Sequence, residues 1–290
     1  MASVRTSLQF PSAEWVLREL PVITYLCEND GLYTMRWICA GGGNPLGYDL
    51  QEFVDNRHYF AASAVHPQDL DVVDEFAECA AAAARPALAR YRLVTQKGRV
   101  LPMLVAARAV RDESSRAAGF CGMVLNLEDW PELQGQARVL SEFPDTRQSA
   151  AGHARPEHIT PEWIMLHVPA TAYVIGNDAN HTLRFASGRN SKLSGYEIEE
   201  YLPGGRYQPA SAVFPDDQDV LDAYSDAAAA SPGRNVAARL RLVDAGGELV
   251  PILVAARAVV VAGEPQIAGV ALDLSHCPAL QGPPMLFENE

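Results

Sequence analysis

The segment LVAARAV occurs twice in this 290-residue chain, at Leu104–Val110 and again at Leu253–Val259. In the wider windows Ala89–Val110 and Ala238–Val259, 14 of 22 positions are identical. The spacing of 149 residues (253 − 104) far exceeds the roughly 20–50 residues of a solenoid repeat. The chain therefore contains two copies of one domain, and its fold and function are properties of that domain.

The repeat extends well beyond this segment. Equivalent pairs are Trp15 and Trp163, Tyr25 and Tyr173, Gly47-Tyr48 and Gly195-Tyr196, Gly122 and Gly269, and Leu133 and Leu280. We expect a first domain at 12–133, a linker at 134–159 that is part helix and part hinge, a second domain at 160–280 and a tail at 281–290. A domain of roughly 120 residues suits a single hydrophobic core.

Composition narrows the class of protein. Hydrophobic residues make up 48% and charged residues 20%, as in ordinary globular domains, and no apolar run has the length of a membrane span. The net charge of −13 and the lack of a Lys/Arg cluster argue against direct nucleic-acid binding and against anionic membranes. The five cysteines share no equivalent positions between the repeats, which indicates free thiols and a cytoplasmic protein.

The order of predicted elements gives the fold class. Ser12 and Thr160 are N-cap residues for a short helix, and a β-hairpin, a longer helix and three strands follow in each repeat. This order predicts an α+β domain: a five-stranded antiparallel sheet with helices on one face and an N-terminal flanking helix. The longer helix begins with repeated acidic residues, which we expect to stabilise its N-terminus rather than to form a catalytic carboxylate site; these are Asp69/Asp217, Asp71/Asp219 and Asp74/Asp222.

With its elements in this order, each of the two repeats resembles a PAS domain. The resemblance rests on ordered motifs in both repeats: Leu46-Gly-Tyr48 and Ser194-Gly-Tyr196, His66-Pro-Gln-Asp69 and Phe214-Pro-Asp-Asp217, and an alternating strand that ends at Gly98 or Gly247. Two departures stand out. Pro102 and Pro251 replace the tryptophan common in the following strand, and proline there predicts an edge position or a bulge. Neither repeat has the Asn-Cys-Arg motif of flavin-binding relatives, so photoadduct chemistry is not expected.

The resemblance implies a pocket between the sheet and the helices. Core packing is the competing interpretation for every apolar residue there. The first repeat has more aromatic residues and Cys39 where the second has Ser187, which makes it the better candidate for a filled pocket. The candidate lining residues are Tyr25, Trp37, Cys39, Tyr48, Phe53, Phe76, Tyr91 and Leu104 in the first repeat, and Tyr173, Phe185, Tyr196, Tyr224 and Leu253 in the second.

No cofactor can be assigned from the sequence. The seven histidines show no metal-ligand spacing, and His58 or His66 would be the haem ligand if the chain bound haem as some PAS domains do. No Ser-His-Asp arrangement, phosphate loop or dinucleotide motif is evident, so we expect a protein that is not an enzyme.

The remaining expectations concern assembly and signalling. Trp15 and Trp163, on the flanking helices, are candidate interface residues that pack either on their own sheet or on a second chain in a homodimer. The resemblance implies a sensory or regulatory protein that senses a small molecule, dimerises and acts through a protein partner. The alternative is a ligand-free interaction scaffold. No output domain is recognisable, so the chain is expected to be a two-domain regulator or part of a larger protein.

Overall fold

A computed structural model describes residues 11–83, 85–142, 158–187, 193–202 and 204–287. In the first domain the helices are α1 (Ala13–Glu19) and α2 (Leu70–Ala82), and the strands are β1 (Ile23–Glu28), β2 (Met35–Ala40), β3 (Ala87–Val94), β4 (Val100–Arg111), β5 (Ala117–Asn126) and β6 (Arg138–Val139). In the second domain the helices are α3 (Pro161–His167) and α4 (Gln218–Ala230), and the strands are β7 (Thr171–Gly176), β8 (Leu183–Ala186), β9 (Asn235–Val243), β10 (Leu249–Val261), β11 (Glu264–Asp273) and β12 (Met285–Phe287).

Each domain has one antiparallel sheet with the same strand order. The orders are β2-β1-β5-β4-β3-β6 and, read from the equivalent edge, β8-β7-β11-β10-β9-β12. This confirms the tandem α+β architecture, with six strands per sheet where five were expected. The extra strands, β6 and β12, are two and three residues long, too short for a period-two pattern to reveal.

The extra strands lie in segments that the sequence analysis assigned to the linker and the tail. Val139, where part of a helix was expected, pairs with Ala89 in the β3–β6 ladder. The proposed hinge in the linker falls on residues 143–157, outside the described residues, and so do residues 288–290 of the tail.

The flanking helices begin as predicted. The Ser12 side chain accepts a hydrogen bond from the Trp15 backbone N–H at 3.2 Å, and the Thr160 side chain accepts one from the Trp163 N–H at 3.2 Å. These N-caps satisfy one of the unpaired N–H groups at each helix start.

Pro102 and Pro251 are accommodated at the end of a ladder. Strand β4 lies between β3 and β5, but its pairing with β5 starts only at Met103, one residue after Pro102. Pro251 likewise precedes the first β10–β11 pair, at Ile252. The predicted edge position or bulge is therefore wrong. Each proline lies on an interior strand at the end of one ladder, where its carbonyl accepts the Leu127 or Leu274 N–H at 2.9 Å and the N–H that proline lacks is not needed.

The outer faces of the two sheets share one hydrophobic core with α1 and α3. That core contains Val16 and Leu17 of α1 and the C-cap residue Leu20. It also contains Ile164 and Met165 of α3 and outer-face residues of both sheets. Helix α1 contacts α3 and β11, and α3 contacts β1 and β5, so each flanking helix reaches the sheet of the other domain. The two domains are thus packed against each other within one chain, and α1 also contacts β2 of its own sheet, one of the two arrangements considered for Trp15 and Trp163.

Candidate functional site

Each domain has a cavity between the inner face of its sheet and its long helix. The first cavity has a volume of about 100 Å³ and the second about 120 Å³. Of the predicted residues, Tyr25, Phe53, Phe76 and Tyr91 line the first cavity. Tyr173 and Tyr224 line the second.

Five predicted residues lie on the opposite face of the sheets. Trp37, Cys39, Leu104, Phe185 and Leu253 pack in the core shared by the two domains, not in the cavities. Their prediction as pocket residues was wrong because successive strand residues point to opposite faces, and residue type was followed instead of that alternation.

Tyr48 and Tyr196 lie beside the cavities rather than on their walls. Tyr48 packs edge-on against Phe53, with ring centroids 5.4 Å apart, and Tyr196 packs in the same way against Tyr201 at 5.7 Å. Each therefore supports an aromatic residue that does line the cavity.

Sequence reasoning missed several lining residues. Cys27, Tyr33 and Ile38 line the first cavity, and His181 lines the second. Counting in steps of two from Tyr25 identifies Cys27, and Ile38 is the direct cross-strand neighbour of Tyr25 in the β1–β2 ladder. The alternation signal was present, whereas the cross-strand register was not readable from one sequence.

A tyrosine lies across a glycine in each sheet. Tyr25 is the cross-strand neighbour of Gly122, and Tyr173 that of Gly269. A Cβ atom at Gly122 would lie 2.5 Å from the Tyr25 hydroxyl oxygen, and one at Gly269 would lie 2.6 Å from that of Tyr173. Glycine is therefore required opposite each tyrosine, because any side chain would displace the ring from the cavity wall.

The two cavities differ in how their tyrosine hydroxyls are satisfied. In the second domain Tyr173 and Tyr224 share a hydrogen bond of 2.6 Å between their hydroxyl oxygens. In the first domain Phe76 occupies the position of Tyr224, so Tyr25 loses this partner. Among the described residues, neither Tyr25 nor Tyr91 has a hydrogen-bond partner for its hydroxyl, although the two residues are only 7% and 9% exposed.

The walls of the first cavity are electrically neutral at physiological pH. Burial, and next the neighbouring Tyr91, raise the pKa of Tyr25 well above its ordinary value. Burial also raises the pKa of the Cys27 thiol to about 12. Of the described residues, those that line the cavity include no Asp, Glu, Lys, Arg or His side chain. Such walls fit an uncharged ligand, because a buried charge without a partner is costly.

A Ser-His-Asp contact chain borders the second cavity. His181 Nε2 lies 3.0 Å from an Asp222 oxygen, and His181 Nδ1 lies 3.2 Å from Ser225 Oγ. Ser225 is 1% exposed and is not among the described residues that line the cavity. In the first domain Tyr33 donates to Asp74 at 2.7 Å in the equivalent place, with Ala77 at the position of Ser225. Both the His181–Asp222 contact and the Tyr33–Asp74 contact attach a hairpin turn to the long helix.

The repeated aspartates at the start of the long helices bind arginines of the sheet. Asp69 accepts hydrogen bonds from Arg92 Nη2 at 2.6 Å, from its Nε at 2.9 Å and from its backbone N–H at 2.8 Å. Asp217 makes the equivalent contacts with Arg241. The sequence analysis assigned these carboxylates to the helix N-terminus, and the structure adds an ion pair between α2 or α4 and the neighbouring strand.

The histidines considered for haem lie outside the cavity walls. His66 Nδ1 accepts a hydrogen bond from the Gln68 N–H at 3.3 Å, and His58 Nδ1 lies 3.5 Å from a Glu52 oxygen. In the part of the chain that the structure describes, no group of three His, Cys, Asp or Glu residues could hold a metal ion. Nor does any helix in that part combine the length and the apolar character needed to cross a bilayer.

Comparisons with known proteins identify part of this fold. Residues 43–124 match the family model described as the PAS fold. No curated protein sequence matches the chain.

Several solved structures are similar to the chain. One is the PAS domain of an HTR-like protein from Haloarcula marismortui, at 15% identity over 39% of this chain and 87% of that chain, with a TM-score of 0.33. Another is the N-terminal domain of a diguanylate cyclase with a PAS/PAC sensor from Marinobacter aquaeolei. It is 18% identical over 37% of this chain and 95% of that chain, with a TM-score of 0.31. A third is an RNA-binding light-oxygen-voltage receptor, which is 12% identical over 88% of this chain and 96% of that chain, with a TM-score of 0.32. At these TM-scores and identities, none of the likenesses bears on function.

Proposed function

Because this chain is a tandem PAS protein, the first domain by its family match and the second by its repeat of sequence and strand order, we propose that it is a sensory or regulatory signalling protein. In this proposal the first domain binds a small uncharged molecule and the chain acts through a protein partner. The second domain acts as a scaffold.

One observation carries the proposal: the hydroxyls of Tyr25 and Tyr91, two residues that line the first cavity, have no hydrogen-bond partner among the described residues. A ligand with a hydrogen-bonding group would supply that partner. The second domain has no such need, since Tyr173 and Tyr224 bond to each other. This asymmetry supports ligand binding in the first domain and a scaffold role in the second.

The cavity also sets the size of the ligand. Its volume of about 100 Å³ is comparable with engineered cavities of about 150 Å³ that bind benzene. We therefore propose a ligand of about one ring, mostly apolar, with a hydroxyl or carbonyl group that reaches Tyr25 and Tyr91. For such a ligand to send a signal, it must bind two states of the protein with different affinities.

We propose that the protein is not an enzyme. Burial keeps the Cys27 thiol and the cavity tyrosines in their neutral forms at physiological pH, and this disfavours a nucleophile or a general base in the first cavity. We also propose a cytoplasmic location, which the free thiols of Cys27, Cys39, Cys79, Cys121 and Cys277 support. A homodimer remains a prediction, and it requires a surface other than the one α1 and α3 already share within the chain.

Native mass spectrometry of the freshly purified protein, followed by thermal unfolding with added probes, tests ligand binding. We expect phenol to raise the unfolding temperature more than toluene does, because only phenol can bond to the unpaired hydroxyls. Tyr25→Phe should remove this difference, whereas Tyr173→Phe, the equivalent change in the second domain, should leave it. No retained mass, together with equal effects of the two probes on the wild-type protein, would instead support the ligand-free scaffold.

A further inference from the structure

Two clefts open between the domains, one at each end of their interface. The first, which we call the Arg108 cleft, has a volume of about 310 Å³ and is lined by Arg85, Arg108, Thr171, Asp273, His276 and Cys277 among others. The second, the Gly42 cleft, has a volume of about 250 Å³, and its lining includes Pro21, Gly42, Asn126 and Asn235. Their linings are related by the repeat, since Pro169 takes the place of Pro21 and Asp273 that of Asn126.

Arg108 is the arginine of the repeated LVAARAV segment in the first domain. It lies on the outer face of β4, opposite Cys121 of β5, where its Nε and Nη1 atoms are buried. Among the described residues nothing accepts a hydrogen bond from these atoms. Burial lowers the pKa of this guanidinium, which reflects the loss of water around it. A cation whose Nε and Nη1 are shielded from water and have no acceptor among the described residues favours a nearby anion.

The other titratable groups of the Arg108 cleft add little negative charge. The Arg85 guanidinium contacts His276 Nε2, and burial together with Arg85 lowers the pKa of His276. Burial raises the pKa of Cys277 to about 11, so its thiol is neutral. Asp273 is the opposing carboxylate. It is exposed to solvent, and one of its oxygens accepts the Ser275 N–H at 2.8 Å.

The Gly42 cleft differs because no arginine is among the described residues that line it. Arg257, the repeat equivalent of Arg108, also has a buried Nε without a partner in the described part of the chain, but it lies over the turn at Gly42, where a Cβ atom would come within 2.6 Å of its Nη1. Trp130 occupies the position of Cys277 and is 1% exposed.

We propose that the Arg108 cleft binds a small oxyanion, a carboxylate or phosphate group, whose oxygens accept hydrogen bonds from the Arg108 guanidinium. The planar fork of donors in arginine matches both groups. The bound anion would lie between the domains, and Thr171, Leu193 and Ala271 line both this cleft and the second cavity. Binding of the anion would therefore stabilise the contact between the domains. It would also affect the residues that this cleft shares with the second cavity.

Isothermal titration of the full chain at constant ionic strength tests this site, with sodium phosphate in one arm and sodium succinate in the other. We expect saturable binding in at least one arm, and the arm that binds identifies the oxyanion. Arg108→Gln should weaken that binding at least about tenfold, because paired charge-assisted hydrogen bonds are lost. The matched variant Arg257→Gln should change that binding less than about twofold, since Arg257 does not line the cleft.

A second measurement does not depend on the folding of a variant. Addition of the binding anion to the wild-type protein should shift the backbone amide resonances of Arg108, Thr171 and Cys277. The proposal is overturned by an absence of saturable binding in both arms up to about 10 mM. It is equally overturned if Arg257→Gln loses as much binding as Arg108→Gln, or if the shifts fall only outside the cleft.

Discussion

At the scale of single residues, Asp69 attaches the long helix of the first domain to its sheet. Its carboxylate is 1% exposed and accepts three hydrogen bonds from Arg92, so it ties the start of α2 to β3. We expect Asp69→Asn to lower the free energy of unfolding by about 2 kcal/mol, since bonds to a charged acceptor are lost. Asp71→Asn, an exposed change in the first turn of the same helix, should cost about 0.5 kcal/mol through the helix dipole alone. Urea denaturation measures both values, and equal losses would show that Asp69 acts only on the dipole.

The same ion pair predicts how stability responds to acid. The hydrogen bonds from Arg92 hold the pKa of Asp69 below its ordinary value. A carboxyl group with a lower pKa in the folded state stabilises the protein above the unfolded-state pKa of about 4. This contribution is lost as the pH falls from about 4 through the folded-state pKa. Urea midpoints measured across this range should fall less steeply for Asp69→Asn than for the wild type, and parallel curves would contradict the assignment.

Gly122 tests the placement of Tyr25. The change Gly122→Ala would put a methyl group 2.5 Å from the Tyr25 hydroxyl oxygen and 2.7 Å from the Ala106 carbonyl oxygen. We expect a loss of about 1–3 kcal/mol, as for other overpacked cores, together with loss of the phenol response. Gly31→Ala is the matched control, because a Cβ atom there has no neighbour within 4 Å. Equal stability of the two variants would mean that the ring does not lie across Gly122.

At the scale of secondary-structure elements, the hairpin turns are attached to the long helices by different residues in the two domains. Tyr33 has φ of 50° and donates to Asp74, and His181 has φ of 46° and contacts Asp222. We expect Tyr33→Phe to lower the free energy of unfolding by about 1 kcal/mol and to speed amide exchange in α2 and in the β1–β2 turn. Tyr59→Phe, which leaves this contact intact, should leave exchange in α2 unchanged. Equal exchange in the two variants would show that the contact does not hold the turn.

Elements were more predictable than contacts. N-caps, helix starts and the order of the elements along the chain followed from local signals such as Ser12, Thr160 and the alternation in β3. Trp37 and Leu104 were predicted to line the cavity because of their residue type. The alternation of side chains along each strand instead places them on the outer face of the sheet. The Asp69–Arg92 pair and the Tyr25–Gly122 contact could not be predicted, because both depend on which strands become neighbours.

At the scale of the whole molecule, the shared core decides how the chain unfolds. Val16, Leu17, Ile164 and Met165 are all at most 3% exposed, and they join outer-face residues of both sheets. Separating the domains would expose this core, so neither domain can unfold without uncovering part of the other. We therefore expect one cooperative transition for the full chain in calorimetry.

Ile164→Ala tests this coupling. The residue is fully buried in the shared core, so its truncation should lower the free energy of unfolding by about 2–5 kcal/mol and move the single transition to lower temperature without splitting it. Leu166→Ala, on the same helix at a side chain that is 51% exposed, should have a much smaller effect. The mass from light scattering should stay unchanged in both variants, because the contact that is weakened lies within one chain. Two separate transitions in the wild type would show independent domains, and a halved mass in Ile164→Ala would show that α3 joins two chains instead.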